Sequence, residues 1–176
     1  EKHLAAAPQD AEAHNFLAIA CYQMAQPATH IDSLLKALSH IEKAIELDGA
    51  RSVHLLYNRA RIFGSVNGSY TYGREVDDLR IAVNLSPYQA SYRRDLAYAL
   101  HILARNNEAL AQIDTLFLDK KNTWFDYMLR GHARFNLGFQ ETACKDWEKA
   151  YAVSSRQELI DILQEKCMAA NVKNNQ

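Results

Sequence analysis

A repeat of about 34 residues is the feature that most limits what this chain of 176 residues can fold into. Three segments align with one another: ALSHIEKAIELDG (Ala37–Gly49), EVDDLRIAVNLSP (Glu75–Pro87) and TACKDWEKAYAVS (Thr142–Ser154). Each carries a large apolar residue followed three positions later by an alanine, and a fourth copy begins at Ala109. The copies start 38, 34 and 34 residues apart. Self-similarity at this period predicts a stack of structural units that each pack on their neighbours.

A second amphipathic stretch lies upstream of each copy and is centred on a small residue: Ala18, Ala60, Ala97 or Gly131. The chain has only 6 glycines and 3 prolines, and 48% of its residues are hydrophobic, so long helices around a packed core are expected. Two helices per repeat predict an all-α fold of helix–turn–helix hairpins. The predicted helices cover residues 10–25, 33–47, 52–66, 74–85, 88–104, 107–118, 123–137, 140–153 and 156–170.

This pattern resembles that of the tetratricopeptide-repeat (TPR) family, which uses 34-residue helical hairpins with small and large residues at fixed positions. The resemblance covers about Pro8 to Ser155 and is clearest in the fourth repeat, at Tyr127, Gly131, Leu137, Gly138, Ala143, Trp147 and Ala150. It implies a right-handed α-solenoid with repeats at about 10–49, 50–87, 88–121 and 122–155. Residues 1–7 then read as the end of a truncated preceding helix, which makes a longer parent protein plausible, and 156–176 as a capping helix and tail.

Two insertions interrupt the repeats. Extra residues around Gln26–Asp32 and within Gly64–Gly73 fall between the two helices of the first and second hairpins. We expect both to form surface turns, because a solenoid tolerates insertions there.

The resemblance also implies where function lies, since such repeats bind partners with the inner face of the first helix of each hairpin. We therefore expect a protein–protein interaction scaffold that binds a peptide or partner helix in a concave groove, as a module of a larger protein or assembly. The alternative is a structural module for self-assembly into homo-oligomers. The candidate groove residues are Asn15, Tyr22, Tyr57, Asn58, Arg61, Arg94, Asp95, Tyr98, His101 and His132. Six of them are expected to be exposed and unpaired: Tyr57, Asn58, Arg61, Arg94, Tyr98 and His132.

One known use of the family is not expected here. Chaperone-binding members hold two carboxylates with a fixed set of lysines, asparagines and an arginine. In this chain only Asn58 fits that set, and Asp95 would repel a carboxylate.

Two further arginines have a structural interpretation. Arg59 and Arg130 occupy the same position of alternate repeats, and the same two repeats carry Asp78 and Asp146 at a second shared position. Because an unpaired charge between two packed helices is costly, we predict the pairs Arg59–Asp78 and Arg130–Asp146. The competing interpretation is that these arginines are exposed and bind a ligand.

Composition and motifs argue against other classes of function. The formal net charge of −1 disfavours a nucleic-acid binder, and no apolar run is long enough for membrane insertion. No nucleophile–base arrangement, cofactor motif or metal-ligand spacing is present, so we expect no enzyme, cofactor or metal. Cys21, Cys144 and Cys167 are widely spaced, and we expect idle thiols rather than a disulfide or zinc site. Idle thiols weakly favour a reducing compartment such as the cytoplasm.

Overall fold

The structure is a computed structural model that describes residues 10–25, 31–66, 69–119 and 122–168. Within these ranges the chain is helical or forms short connections, and no residue is in a strand. Residues Phe117–Asp119 form a 3-10 turn, and Leu163–Met168 form a π-helical segment. The helices are α1 (Ala11–Met24), α2 (Ile31–Asp48), α3 (Val53–Ser65), α4 (Ser69–Leu85), α5 (Ala90–Ile102), α6 (Asn106–Leu116), α7 (Trp124–Asn136), α8 (Gln140–Ser154) and α9 (Gln157–Ile162).

Two compact units divide the chain between Tyr92 and Arg93. In the first unit α1 packs on α2, α3 packs on α4, and α2 also contacts α3. In the second unit α7 packs on α8 and also contacts α6, while α9 and the π-helical segment cover α8. The predicted all-α helical-repeat architecture is confirmed in both units.

Small residues lie where the helices of a hairpin meet. Ala18, Ala60 and Ala97 are fully buried. Gly131 is buried as well, and a Cβ atom built on it would lie 2.6 Å from Cδ1 of Trp147. The indole nitrogen of Trp147 donates to the carbonyl of Met128, so the ring is fixed against α7. These positions allow the close helix packing that the repeat pattern predicts.

Both predicted ion pairs form inside their own hairpins. Nε and Nη2 of Arg59 each donate to Asp78 over 2.8 Å, and these hydrogen bonds raise the pKa of Arg59. Nε and Nη2 of Arg130 donate to Asp146 over 3.0 and 2.7 Å, and Arg134 adds a third bond of 2.7 Å. Asp78 and Asp146 are buried, so these arginines neutralise charges inside the hairpins, and the ligand-binding interpretation of Arg59 and Arg130 is wrong.

The second insertion differs from its prediction. Helix α4 begins at Ser69, so residues 69–73, expected in a turn, lengthen the second helix of this hairpin. Glu75 is buried against Gly64, where a Cβ atom would lie 2.6 Å from the Glu75 carboxylate. The absence of a side chain at Gly64 thus makes room for the carboxylate of Glu75. Residues 1–9, 26–30 and 67–68 lie outside the described residues, so the predictions for the preceding helix and the first inserted turn stay predictions.

The cysteines of the C-terminal region differ from their prediction. Cys144 of α8 and Cys167 of the π-helical segment form a disulfide at a sequence separation of 23, and Cys21 is a free thiol. The prediction of idle thiols is therefore wrong for two of the three cysteines. Because structural disulfides are typical of oxidising environments, the thiols no longer favour the cytoplasm. Leu159 of α9 is fully buried, and the prediction that residues 156–176 are a capping helix and tail stays a prediction.

Candidate functional site

The ten predicted groove residues all lie on the first helices of the hairpins, α1, α3, α5 and α7, and they divide between the two units. We call the five of the first unit the first surface: Asn15, Tyr22, Tyr57, Asn58 and Arg61. The five of the second unit form the second surface: Arg94, Asp95, Tyr98, His101 and His132.

Polar contacts between α1 and α3 join the residues of the first surface. The amide nitrogen of Asn58 donates to the side-chain oxygen of Asn15 over 3.0 Å, and Asn15 is buried. The hydroxyl of Ser65 donates to the hydroxyl of Tyr22 over 3.3 Å. The prediction that Asn58 is unpaired is therefore wrong, because its amide links two neighbouring helices.

Arg61 is the exposed cation of the first surface. Its guanidinium carbon lies 5.3 Å from the centre of the Tyr22 ring and 5.9 Å from that of Tyr57. The Tyr57 ring in turn packs on Tyr92, with 4.4 Å between ring centres, and is half-buried, so the expectation that Tyr57 is exposed and unpaired is wrong. Across the described ranges no carboxylate lies within ion-pair distance of Arg61. Cation–π contacts orient the guanidinium and leave its charge uncompensated.

Arg94 differs from its prediction. Its Nε and Nη2 both donate to the carboxylate of Asp126, the latter over 2.9 Å, and Asp126 is almost fully buried. Asp126 also accepts hydrogen bonds from the backbone and hydroxyl of Thr123, which complete a capping box at the start of α7. Burial alone would raise the pKa of Asp126, but the bonds from Arg94 and Thr123 outweigh it and lower that pKa. The expectation that Arg94 is exposed and unpaired is therefore wrong.

Aromatic rings dominate the rest of the second surface. Tyr98 is 43% exposed and its ring centre lies 5.9 Å from that of Phe125, which confirms an accessible aromatic on this face. The rings of His101 and His132 stack with centres 5.7 Å apart. Nδ1 of His101 also lies 2.9 Å from the side-chain oxygen of Asn106. Asp95 is half-buried on the same helix.

His132 is half-buried rather than exposed as predicted. Its ring centre lies 5.3 Å from that of the buried Trp147. Burial, followed by the nearby charges of His101 and Lys166, lowers the pKa of His132 to about 4. The imidazole is therefore neutral at pH 7, so it can donate and accept hydrogen bonds but supplies no charge.

Two charged residues near the second surface escaped the sequence analysis, Asp126 and Lys166. Asp126 carries a signal that could have been used, because Thr123 precedes it by three positions in a capping-box pattern. Lys166 carries no such signal. It lies in the non-repeating C-terminal segment, yet its ammonium is 5.0 Å from the centre of the Phe135 ring on α7.

Metal binding and membrane insertion are two further possibilities on which the described residues bear. In the ranges that the structure describes, no three metal-ligating side chains converge. No helix in those ranges is both long and apolar enough to cross a membrane.

Comparisons with known proteins bear on the fold. No protein-family model and no curated protein sequence matches the chain. A TPR protein from Parabacteroides merdae is 20% identical with a TM-score of 0.65, over 94% of this chain and 60% of that one. The chain thus spans less than two thirds of that relative. TTC0263, a TPR protein from Thermus thermophilus, is 14% identical with a TM-score of 0.65, over 95% of this chain and 86% of that one.

A third solved structure is the first TPR domain of Spaghetti (RPAP3), bound to the HSP90 peptide SRMEEVD. It is 20% identical with a TM-score of 0.61, over 68% of this chain and 93% of that one. At these identities the likeness concerns the backbone and not the binding residues. Together with the helical hairpins of both units, it shows that this chain has the all-α helical-repeat fold of tetratricopeptide-repeat proteins.

Proposed function

We propose that the chain is a protein-interaction module whose first surface binds an extended acidic peptide of a partner protein. The observation that carries this proposal is Arg61, an exposed guanidinium that lies beside two tyrosine rings and has no carboxylate partner within the described parts of the chain. The proposed role involves no catalytic step.

The charge of Arg61 contrasts with that of the other arginines on these helices. Arg59 is neutralised by Asp78, and Arg94 is neutralised by Asp126. A guanidinium presents planar hydrogen-bond donors that match a carboxylate, so an acidic side chain is the ligand that best complements Arg61.

The neighbours of Arg61 suit a peptide main chain. Tyr22 and Tyr57 supply rigid surface at low entropic cost, and Tyr57 is further held by Tyr92. Asn58 lies one helical turn before Arg61 on α3, at a spacing suited to contacts along an extended strand.

The comparison with RPAP3 supports this proposal by analogy. That domain is bound to a peptide, SRMEEVD, with three acidic residues. The match is in fold, and of the clamp positions known from chaperone-binding members only Asn58 is filled here. The proposal therefore depends on Arg61 itself rather than on a shared set of binding residues.

A peptide array followed by fluorescence anisotropy tests the proposal. Labelled acidic peptides and their glutamine and asparagine counterparts are titrated with the wild-type chain, with Arg61→Gln and with Lys36→Gln. Lys36 is an exposed lysine on α2, so its variant matches the loss of charge away from the first surface. We expect acidic peptides to bind the wild type and Lys36→Gln alike, and Arg61→Gln at least about tenfold more weakly. Equal binding by the two variants, or no binding of any acidic peptide to the wild type, would contradict the proposal.

A second candidate function, self-association, is favoured by one observation. Four large apolar side chains of the first hairpin, Phe16, Met24, Ile31 and Leu35, are each more than half exposed. Contiguous exposed apolar surface is typical of contact sites, and all four side chains belong to the two helices of one hairpin. Light scattering after size exclusion tests this candidate: self-association predicts an oligomer that Phe16→Asp with Leu35→Asp converts to a monomer, and a wild-type monomer at all concentrations rejects it.

A further inference from the structure

The C-terminal π-helical segment, Leu163–Met168, is fastened to α8 at two adjacent residues. Cys167 forms the disulfide with Cys144. The side-chain amide of Gln140 donates to the backbone carbonyl of Lys166 over 2.8 Å. These two attachments fix the backbone from which the Lys166 side chain projects.

Lys166 stands at the end of a row of rings that reaches the second surface. Its ammonium is 5.0 Å from the centre of the Phe135 ring, and Phe135 is 5.5 Å from Trp147 between ring centres. Trp147 in turn contacts His132, which stacks on His101. The ammonium of a residue from outside the repeats thus lies near His132, and its charge helps to lower the pKa of that ring.

The charge of Lys166 is only loosely compensated. Its ion-pair partner is the adjacent Glu165, at 3.5 Å, and the Glu165 side chain is 75% exposed. Exposed pairs of this kind contribute little and exchange readily with other partners. Arg94, the cation predicted for this surface, is already neutralised by the buried Asp126.

We propose that Lys166 is a ligand-binding residue of the second surface, where its ammonium binds a carboxylate of an acidic peptide beside the ring of His132. The ammonium supplies the charge, and the imidazole of His132 supplies an N–H hydrogen bond to the same anionic group. The inference rests on the proposed function for the class of ligand. It adds a binding residue that the repeat pattern does not contain.

The position of Lys166 depends on the disulfide. Without the bond between Cys144 and Cys167, the segment keeps the Gln140 contact but loses its covalent attachment to α8. Lys166 then spends less time over Phe135, and the affinity of the second surface for a carboxylate falls. Reduction of the disulfide therefore weakens binding through Lys166.

The test uses the same acidic peptides, with their glutamine and asparagine counterparts as uncharged controls. Lys166→Gln keeps most of the side chain and removes the charge. Lys145→Gln is the matched control, because Lys145 is an exposed lysine of α8 paired with Glu141. We expect Lys166→Gln to weaken binding of the acidic peptides about five- to tenfold, to leave the uncharged peptides unaffected, and Lys145→Gln to bind as the wild type does.

Cys144→Ser provides a second, independent measurement. It should weaken binding in the wild-type background and add little once Lys166→Gln is present, because both changes remove the same contact. If acidic peptides bind and depend on Arg61 while Lys166→Gln and Lys145→Gln bind alike, the assignment of Lys166 is wrong and the proposed function stands. If Cys144→Ser weakens both backgrounds equally, the disulfide does not act through Lys166. If no acidic peptide binds the wild type, both proposals fail.

Discussion

Gly131 of α7 and Trp147 of α8 fit together so closely that no side chain can be placed on the glycine. A Cβ atom built on Gly131 would lie 2.6 Å from Cδ1 and 2.9 Å from Cε2 of the indole. Trp147 is fully buried and is held by its hydrogen bond to the carbonyl of Met128, so the ring cannot move aside without losing that bond. The glycine in the middle of a helix is therefore required by packing.

We expect Gly131→Ala to destabilise the chain by about 1–3 kcal/mol, because the added methyl group overpacks the contact with Trp147. Gly73→Ala is the matched control. Gly73 also lies inside a helix, α4, but nothing lies within 4 Å of a Cβ atom built there. That variant should gain up to about 1 kcal/mol from helix propensity. Urea denaturation measures both, and a loss of stability at Gly73 as large as at Gly131 would contradict the packing argument.

The repeat made some contacts predictable. Arg59–Asp78 and Arg130–Asp146 could be predicted because the same two residue types recur at the same positions in alternate hairpins. Arg94–Asp126 could not, because it joins the first helices of two successive hairpins and occurs once among the described residues. A pattern seen once has no second copy against which its pairing can be checked.

Fewer contacts could be predicted for the residues outside the repeat. Cys167 and Lys166 lie in a segment with no repeat positions, so nothing in the sequence aligned either of them with a residue of α7 or α8. The start of α4 was misplaced for a different reason. The stretch Gly64–Gly73 has the glycine and serine content of a turn, yet α4 begins within it, at Ser69.

Removing the charge of Asp146 should destabilise the second unit strongly. Asp146 is buried and accepts hydrogen bonds from Arg130 and Arg134, so Asp146→Asn leaves two guanidinium groups without their carboxylate. We expect a loss of about 3 kcal/mol in the free energy of unfolding, measured by urea denaturation. Glu141→Gln, which breaks the exposed pair with Lys145, should leave the denaturation midpoint unchanged. Similar midpoints for the two variants would show that the buried pair contributes no more than an exposed one.

Stability should fall as the pH decreases from about 6.5 to about 4. The pKa of His132 is lowered from 6.5 to about 4 in the folded chain, so within this window the unfolded state binds a proton that the folded state does not. Protonation therefore favours unfolding, and the effect levels off below about pH 4. We expect a contribution on the order of 1–3 kcal/mol, reduced by the partial exposure of the ring.

Thermal denaturation across this pH range isolates the contribution when the wild type is compared with His132→Gln. The difference in stability between them should change with pH only inside the window. A difference between the wild type and His132→Gln that stays constant from pH 4 to 6.5 would contradict the assignment.

Breaking the disulfide should lower the stability of the chain as well as its affinity for the acidic peptides. Cys144 and Cys167 are separated by 23 residues, and closing a loop of this length restricts the unfolded chain by about 3 kcal/mol. We expect Cys167→Ser to lower the melting temperature by several degrees, while Cys21→Ser, at the free thiol, changes it little. Mass spectrometry after alkylation under non-reducing conditions should find one modified cysteine in the wild type. Three modified cysteines would show that the bond does not form.

The predicted binding residues can be tested together and in parts. In Tyr57→Ala/Arg61→Ala/Tyr98→Ala the acidic peptides should bind more weakly by about 1–2 kcal/mol for each anchor that contacts them. Arg61 and Tyr98 are exposed, and Tyr57 loses one ring contact with Tyr92 worth about 1 kcal/mol, so the melting temperature should fall by only a few degrees. Tyr88→Ala removes a fully accessible tyrosine elsewhere and should bind normally.

Comparing Tyr57→Ala/Arg61→Ala with Tyr98→Ala assigns the effect to one surface or to both. If the double variant binds as weakly as the triple variant, the peptide binds the first surface and does not contact Tyr98. If Tyr98→Ala alone also weakens binding, the second surface contributes an aromatic contact in addition to Lys166. Normal binding by the triple variant would place the partner on another part of the molecule, and unfolding of that variant would show that these side chains serve packing instead.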